Sequence, residues 1–185
     1  MASQICGLWT EVITVTRSTA ETVQLGREIG RLLGPGNVVT MIGELGSGKT
    51  HLIKGIAAGM GVKQSARLAS PSFALIQAYC GRIPFYHIDV YRLASEGEAE
   101  QLGLHEYMGG EGVAVIEWAD RIPSLLPKEL LEIHMHYLGR HRRQIHIHGE
   151  GLQMQSLIRQ LEKQTRQARD NRREAIGNRP IAYHP

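Results

Sequence analysis

Two cysteines in 185 residues, Cys6 and Cys80, are too few for a disulfide scaffold, and with no C-x-x-C pair they read as inert thiols of a reducing compartment. No apolar run reaches the ~18 residues that a membrane helix requires. The opening MASQICGLW lacks a basic n-region and a long apolar h-region, so the expectation is a cytoplasmic chain with a flexible stretch at 1–9. The 21 glycines and 7 prolines follow no Gly-X-Y period, which excludes a collagen-like chain. An N-K-x-D stretch, the usual guanine reader, is missing as well, which argues against a Ras-like GTPase.

At 42% apolar and 21% charged residues, the chain can bury a core. Its charge is unevenly spread. Residues 151–185 carry seven basic side chains against Glu162, Asp170 and Glu174, so the overall +3 leaves residues 1–150 slightly acidic. A basic nucleic-acid-binding body is thereby excluded, and any affinity for a polyanion belongs to the tail.

The apolar period alternates between 2 and roughly 3.6, the pattern of an α/β domain. Thr10–Thr16 reads as a strand. Ser18 to Glu21 has the S-x-x-E form of a capping box and opens a helix that Gly34-Pro35-Gly36 ends. Val38–Ile42 is continuously apolar, as a central strand covered on both faces would be. A glycine-rich turn leads to a helix from about Lys49, and a polar connection runs from Gly59 to Pro71. Phe73–Tyr79 and Phe85–Tyr91 read as a hairpin, Ser95–Leu104 as a helix with an N-cap serine, and Val113–Ile116 as a second buried strand. A last hairpin joins Glu129–Leu138 to Gln144–His148, with His136 expected near His146 and His134 near His148. Leu152, Leu157, Ile158 and Leu161 mark a closing amphipathic helix, expected to fray beyond about Gln167. The expected organisation is one α/β domain over 10–150 followed by a helix and basic tail over 151–185.

The strongest chemical signal is Gly43-Glu44-Leu45-Gly46-Ser47-Gly48-Lys49-Thr50, which matches G-x-x-x-x-G-K-[ST] between a buried strand and a helix. Glycines at 43, 46 and 48 let successive N–H groups turn inward as an anion nest, and the helix N-terminus adds its positive dipole end. Lys49 brings a full charge to β- and γ-phosphates, and the Thr50 hydroxyl suits Mg²⁺. Two strands end in acids, Asp89 and Glu117, at the carboxyl ends of the strands, where ligands of open parallel sheets collect. Val113–Glu117 is the cleaner run, and a carboxylate there can hold Mg²⁺ or orient water. Either acid could instead cap a helix or pair with Arg92 or Arg121. ATP is favoured as the nucleotide because adenine leaves little trace in a sequence.

The ordered set GELGSGKT, Ser70-Pro71-Ser72-Phe73, His87-Ile88-Asp89-Val90-Tyr91-Arg92-Leu93 and Ile116-Glu117-Trp118-Ala119-Asp120 resembles the TsaE (YjeE) family of bacterial ATPases in tRNA threonylcarbamoyladenosine synthesis. The resemblance spans about Thr10 to Gly149. It implies a three-layer P-loop NTPase fold, with a mainly parallel sheet and antiparallel hairpins. It also implies ATP and Mg²⁺ as ligands, and TsaD- and TsaB-type proteins as partners, with tRNA met through that complex and hydrolysis resetting it. By the same resemblance Lys49 and Thr50 are phosphate and metal residues, Glu117 and Asp89 are metal and catalytic acids, and Trp118 packs at the site or a partner surface. Ser72 stands where the family usually has threonine and keeps the hydroxyl for Mg²⁺ or the γ-phosphate. Arg140 and Arg143 match the family's hairpin arginines loosely; one of them contacts nucleotide, or both belong to a solvated turn.

The four histidines of the last hairpin make a flat array rather than a closed metal shell. Contact of the tail with tRNA phosphates competes with its reading as a solvated extension. Two rival functions use the same motifs. One is a small-molecule or nucleoside kinase, which would normally carry an arginine-bearing lid. The other is a nucleotide-gated binding module in which hydrolysis is incidental.

Overall fold

The computed structural model describes residues 10–71 and 75–177, with side chains as far as residue 167. The expected 1–9 arm, Ser72 and residues 178–185 lie outside the described residues.

Seven strands form one mixed sheet: β1 (Thr10–Thr16), β2 (Val38–Ile42), β3 (Ile76–Cys80), β4 (Pro84–Asp89), β5 (Val113–Glu117), β6 (Leu131–Gly139) and β7 (Arg142–Gly149). Their order is β1-β7-β6-β2-β5-β4-β3. Strand β2, apolar apart from the buried Thr40, takes the centre, parallel to β6 on one side and to β5 on the other, and β5 is parallel to β4. Antiparallel hairpins extend both edges, β6 with β7 and β3 with β4, and β1 closes against β7. Four helices accompany the sheet among the described residues: α1 (Thr19–Leu32), α2 (Lys49–Gly59), α3 (Glu96–Gln101) and α4 (Leu152–Gly177).

One apolar core joins Ile29, Leu52, Ile56 and Ile158 to Met41, Phe85, Val115 and Ile133; a second joins Ile88, Ile116 and Val38 to Ala99, Leu104 and Ile122. Alternation along β4 and β5 explains the division. Phe85 and Val115 point to the first core, Ile88 and Ile116 to the second.

The capping box at Ser18 forms, with Ser18 Oγ accepting from the Glu21 N–H; Glu21 reaches back one residue further than expected, accepting from the Arg17 N–H at 2.8 Å. Ser95 caps α3 as expected, but the helix ends at Gln101 and a 3₁₀ turn, Leu104–Tyr107, follows it after Gly103 takes a left-handed conformation. Helix α4 runs to Gly177, past the expected fraying point at Gln167. Met154, Leu157, Ile158 and Leu161 are its buried stripe, whereas Leu152 is 84% exposed. At ~100° per residue, position 152 falls on the side of the helix opposite that stripe.

In the last hairpin the Cα register pairs His134 with His146 and His136 with Gln144. The ring contacts are the expected ones, His134 with His148 at 5.9 Å and His136 with His146 at 5.5 Å, because they are made diagonally across the strands. Among the described residues no group of three or more potential ligands could hold a metal ion there.

Helices α1 and α2 meet backbone to backbone. A Cβ built on Gly26, Gly30 or Gly55 would stand 2.2 Å from the carbonyl oxygen of Leu52, Ile56 or Val23 respectively. The pairs Gly26/Gly30 and Gly55/Gly59 therefore form one glycine-only seam, and α2 inherits its position from α1. Arg82, in the β3–β4 turn, donates to the Gly59 and Gly30 carbonyls at 2.9 Å each and to Leu33 O, tying both helix ends to the hairpin.

Candidate functional site

The loop between β2 and α2 crosses the carboxyl end of the parallel strands. Gly43, at φ +148°, passes under β6, where a Cβ would meet the Met135 carbonyl oxygen at 2.4 Å. Gly48, at φ +103° and ψ 17°, sits at the N-cap of α2 in a left-handed conformation that a side chain would strain, and it offers no side-chain cap of its own. Between them Ser47 is 1% exposed, and its Oγ has no hydrogen-bond partner among the described residues. Glu44 and Gly46 face solvent, and Leu45 is 82% exposed.

Lys49 opens α2 and is 4% exposed. Its ammonium donates to the Gly43 carbonyl at 2.5 Å and to the Glu44 carbonyl at 3.1 Å, and stands 3.9 Å from the centre of the Trp118 ring. Burial lowers its pKa from 10.5, an effect opposed in part by Glu117, Asp89 and Asp120.

Asp89 and Glu117 end adjacent parallel strands and are paired directly in register. Each is 3% exposed and each is anchored. Asp89 accepts from the Ser70 hydroxyl and from the Tyr91 N–H. Glu117 Oε1 lies 2.8 Å from His87 Nε2. Trp118 follows at φ +63°, an unfavourable left-handed conformation for a non-glycine residue, and its indole packs on Tyr91 with ring centres 4.8 Å apart. The turn is held by the Trp118 N–H, which donates to Met41 O at 3.0 Å.

Together these groups line a cleft of about 350 Å³ that includes Gly48, Lys49, Thr50, Ser70, Asp89, Glu117, Trp118 and Arg143. The two hairpin arginines separate here. Arg143 Nε donates to Ser47 O at 3.3 Å, on the loop itself, while Arg140 is exposed and contributes only its carbonyl to Arg143. The alternation of β7 turns Arg143 inward, whereas Arg140 sits in the turn beyond the strand.

Three residues at the site escaped the sequence reading as individuals: Ser70, His87 and Tyr91. For His87 the signal lay in period 2, since a histidine two residues before a strand-end acid shares its face of the sheet, whereas Ser70 and Tyr91 lie outside the strands. Ser72 falls outside the described residues.

The site suits a bound polyphosphate and cation on structural grounds. The start of α2 carries no side-chain cap, a buried hydroxyl beside it has no partner among the described residues, and a buried ammonium faces two buried carboxylates across one cleft.

The family described as "Threonylcarbamoyl adenosine biosynthesis protein TsaE" matches residues 16–145. A Treponema pallidum protein named tRNA threonylcarbamoyladenosine biosynthesis protein TsaE is 42% identical over 131 residues, covering 71% of this chain and 96% of the relative. The Bacillus subtilis protein of the same name is 38% identical over 149 residues, covering 80% and 92%. The crystal structure of Bacillus subtilis YdiB superposes with a TM-score of 0.72 at 32% identity, covering 85% of this chain and 98% of that one. With a family match over most of its length and a shared fold, the chain belongs to the TsaE family.

Proposed function

We propose that this protein is a P-loop NTPase that binds ATP with Mg²⁺ and hydrolyses it as an accessory to threonylcarbamoyl modification of tRNA adenosine, in concert with a TsaB–TsaD-type complex. The observation that carries this reading is one juxtaposition: Lys49 at the uncapped start of α2, facing the register-paired acids Asp89 and Glu117.

The chain's own groups divide the work. Gly43 and Gly48 let the backbone bend so that loop N–H groups face the phosphates, and Lys49 exchanges the Gly43 and Glu44 carbonyls for phosphate oxygens. Arg143 adds a guanidinium from the far hairpin. Thr50, Asp89 and Glu117 are the oxygen donors available to the cation. When bound, Mg²⁺ neutralises phosphate charge and lowers the barrier to attack by water. With Oε1 held by His87, the other oxygen of Glu117 is left to orient a water molecule. Trp118 covers Lys49 and limits its exposure to solvent.

Titration calorimetry with ATP and ADP, with and without Mg²⁺, tests binding; phosphate release with and without TsaB- and TsaD-type proteins tests turnover. Loss of Lys49 removes charge-assisted bonds worth ~1.5–3 kcal/mol each, so Lys49→Ala should weaken ATP binding by at least ~10-fold. No heat with millimolar magnesium-ATP would end the reading. A phosphorylated metabolite in place of free phosphate would shift it to a kinase.

A further inference from the structure

We propose that His87 is a positioning residue for hydrolysis, holding the Glu117 carboxylate through a hydrogen bond from Nε2; this rests on the reading of Glu117 as the acid that faces cation and water. His87 is 0% exposed and lies on β4 two residues before Asp89, hence on the same face of the sheet. Its register partner on β5 is Val115, and it reaches past that residue to Glu117 Oε1 at 2.8 Å.

The other ring nitrogen, Nδ1, is buried without a hydrogen-bond partner among the described residues. That asymmetry places the proton. With Nε2–H donating to the carboxylate, only a lone pair is left unpaired at Nδ1. The opposite tautomer would set a lone pair against a carboxylate oxygen and bury an unpaired N–H as well. On this face Phe85, Val113 and Val115 belong to the apolar core, whereas Asp89 on the same strand and Gln77, the register partner on β3, are polar; the apolar side of the pocket alone would be met by an apolar ring. What a histidine adds is one directed donor. It removes the rotational freedom of Glu117 and commits one of its oxygens, so the other is presented in one orientation, as outer partners do for ligating carboxylates.

The test compares His87→Gln, whose amide Nε2 can donate from a similar reach, with His87→Leu, in the full chain with its partner proteins. His87→Leu is expected to lower kcat by ~10–100-fold while KM for ATP stays within about threefold, and His87→Gln to restore most of the rate. Imidazole ¹⁵N spectra of the nucleotide-free protein supply a readout independent of turnover: Nε2 protonated and Nδ1 bare, with the Nε2 resonance moving in Glu117→Ala. Wild-type kcat in His87→Leu, equal loss in both variants at unchanged melting temperature, or an unprotonated Nε2 would each overturn the proposal. A wild-type protein that releases no phosphate even with partners would defeat the hydrolysis reading, and a bare Nδ1 would then still uphold the hydrogen-bonded pair.

Discussion

Replacing Gly30 by alanine in α1 should destabilise this protein, although the same change in an ordinary helix would stabilise it. Helix propensity favours alanine over glycine by ~1 kcal/mol. Against that gain, the new Cβ would lie 2.2 Å from the Ile56 carbonyl oxygen and 3.0 Å from its Cα. Both are backbone atoms of α2, so no rotamer change relieves the clash; α1 and α2 must part by roughly 1 Å, and the loss belongs at the upper end of the ~1–3 kcal/mol typical of overpacking. The net loss is then ~2 kcal/mol, or roughly 4–8 °C in Tm for a chain of this size. Because α2 begins at Lys49, the same displacement should weaken ATP binding. Gly97→Ala in α3 is the control. Its Cβ would meet nothing closer than Ser95 Oγ at 3.8 Å, so it should be neutral or slightly stabilising. Urea and thermal unfolding read both variants. A Gly30→Ala protein as stable as the wild type would refute the glycine seam as the feature that sets α2.

Arg82→Ala removes the donor shared by the Gly30, Gly59 and Leu33 carbonyls and should lower unfolding free energy by ~2–3 kcal/mol, with Arg82→Lys recovering only part; urea midpoints decide this. Arg143→Ala should weaken ATP binding about tenfold while Arg140→Ala leaves it nearly unchanged, and calorimetry showing equal effects would break the distinction between them. Lys49 carries a pH signature. Burial lowers its pKa in the fold, so the unfolded chain binds more protons, and the penalty from this group fades as pH rises through the lowered value toward 10.5. Phosphate contact favours the ammonium form and raises that pKa again. ATP binding at alkaline pH below 10.5 should therefore take up protons, read as a dependence of binding heat on the buffer's ionisation enthalpy; proton release would contradict it.

Local features were legible in the chain because their physics is local. A left-handed glycine before a lysine, a capping serine three residues before a glutamate, and an apolar run ending in an acid each depend on a few neighbouring residues. Alternation likewise brought His136 near His146 and His134 near His148, while the Cα register that pairs His134 with His146 lay beyond it, because those rings meet along diagonals. The sequence reading ended α3 late, since the left-handed Gly103 is invisible to helical periodicity.

From the amino-acid order alone came the glycine-rich loop, its flanking strand and helix, and two acids at strand ends. Folding decided which groups meet: that Asp89 stands beside Glu117, that His87 reaches across a strand to hold it, and that Arg143 rather than Arg140 touches the loop. It also placed glycines of α1 against carbonyls of α2. The reason is range. Backbone preferences and side-chain alternation act over a few residues, whereas these contacts join segments brought together only by the order and direction of strands in the sheet.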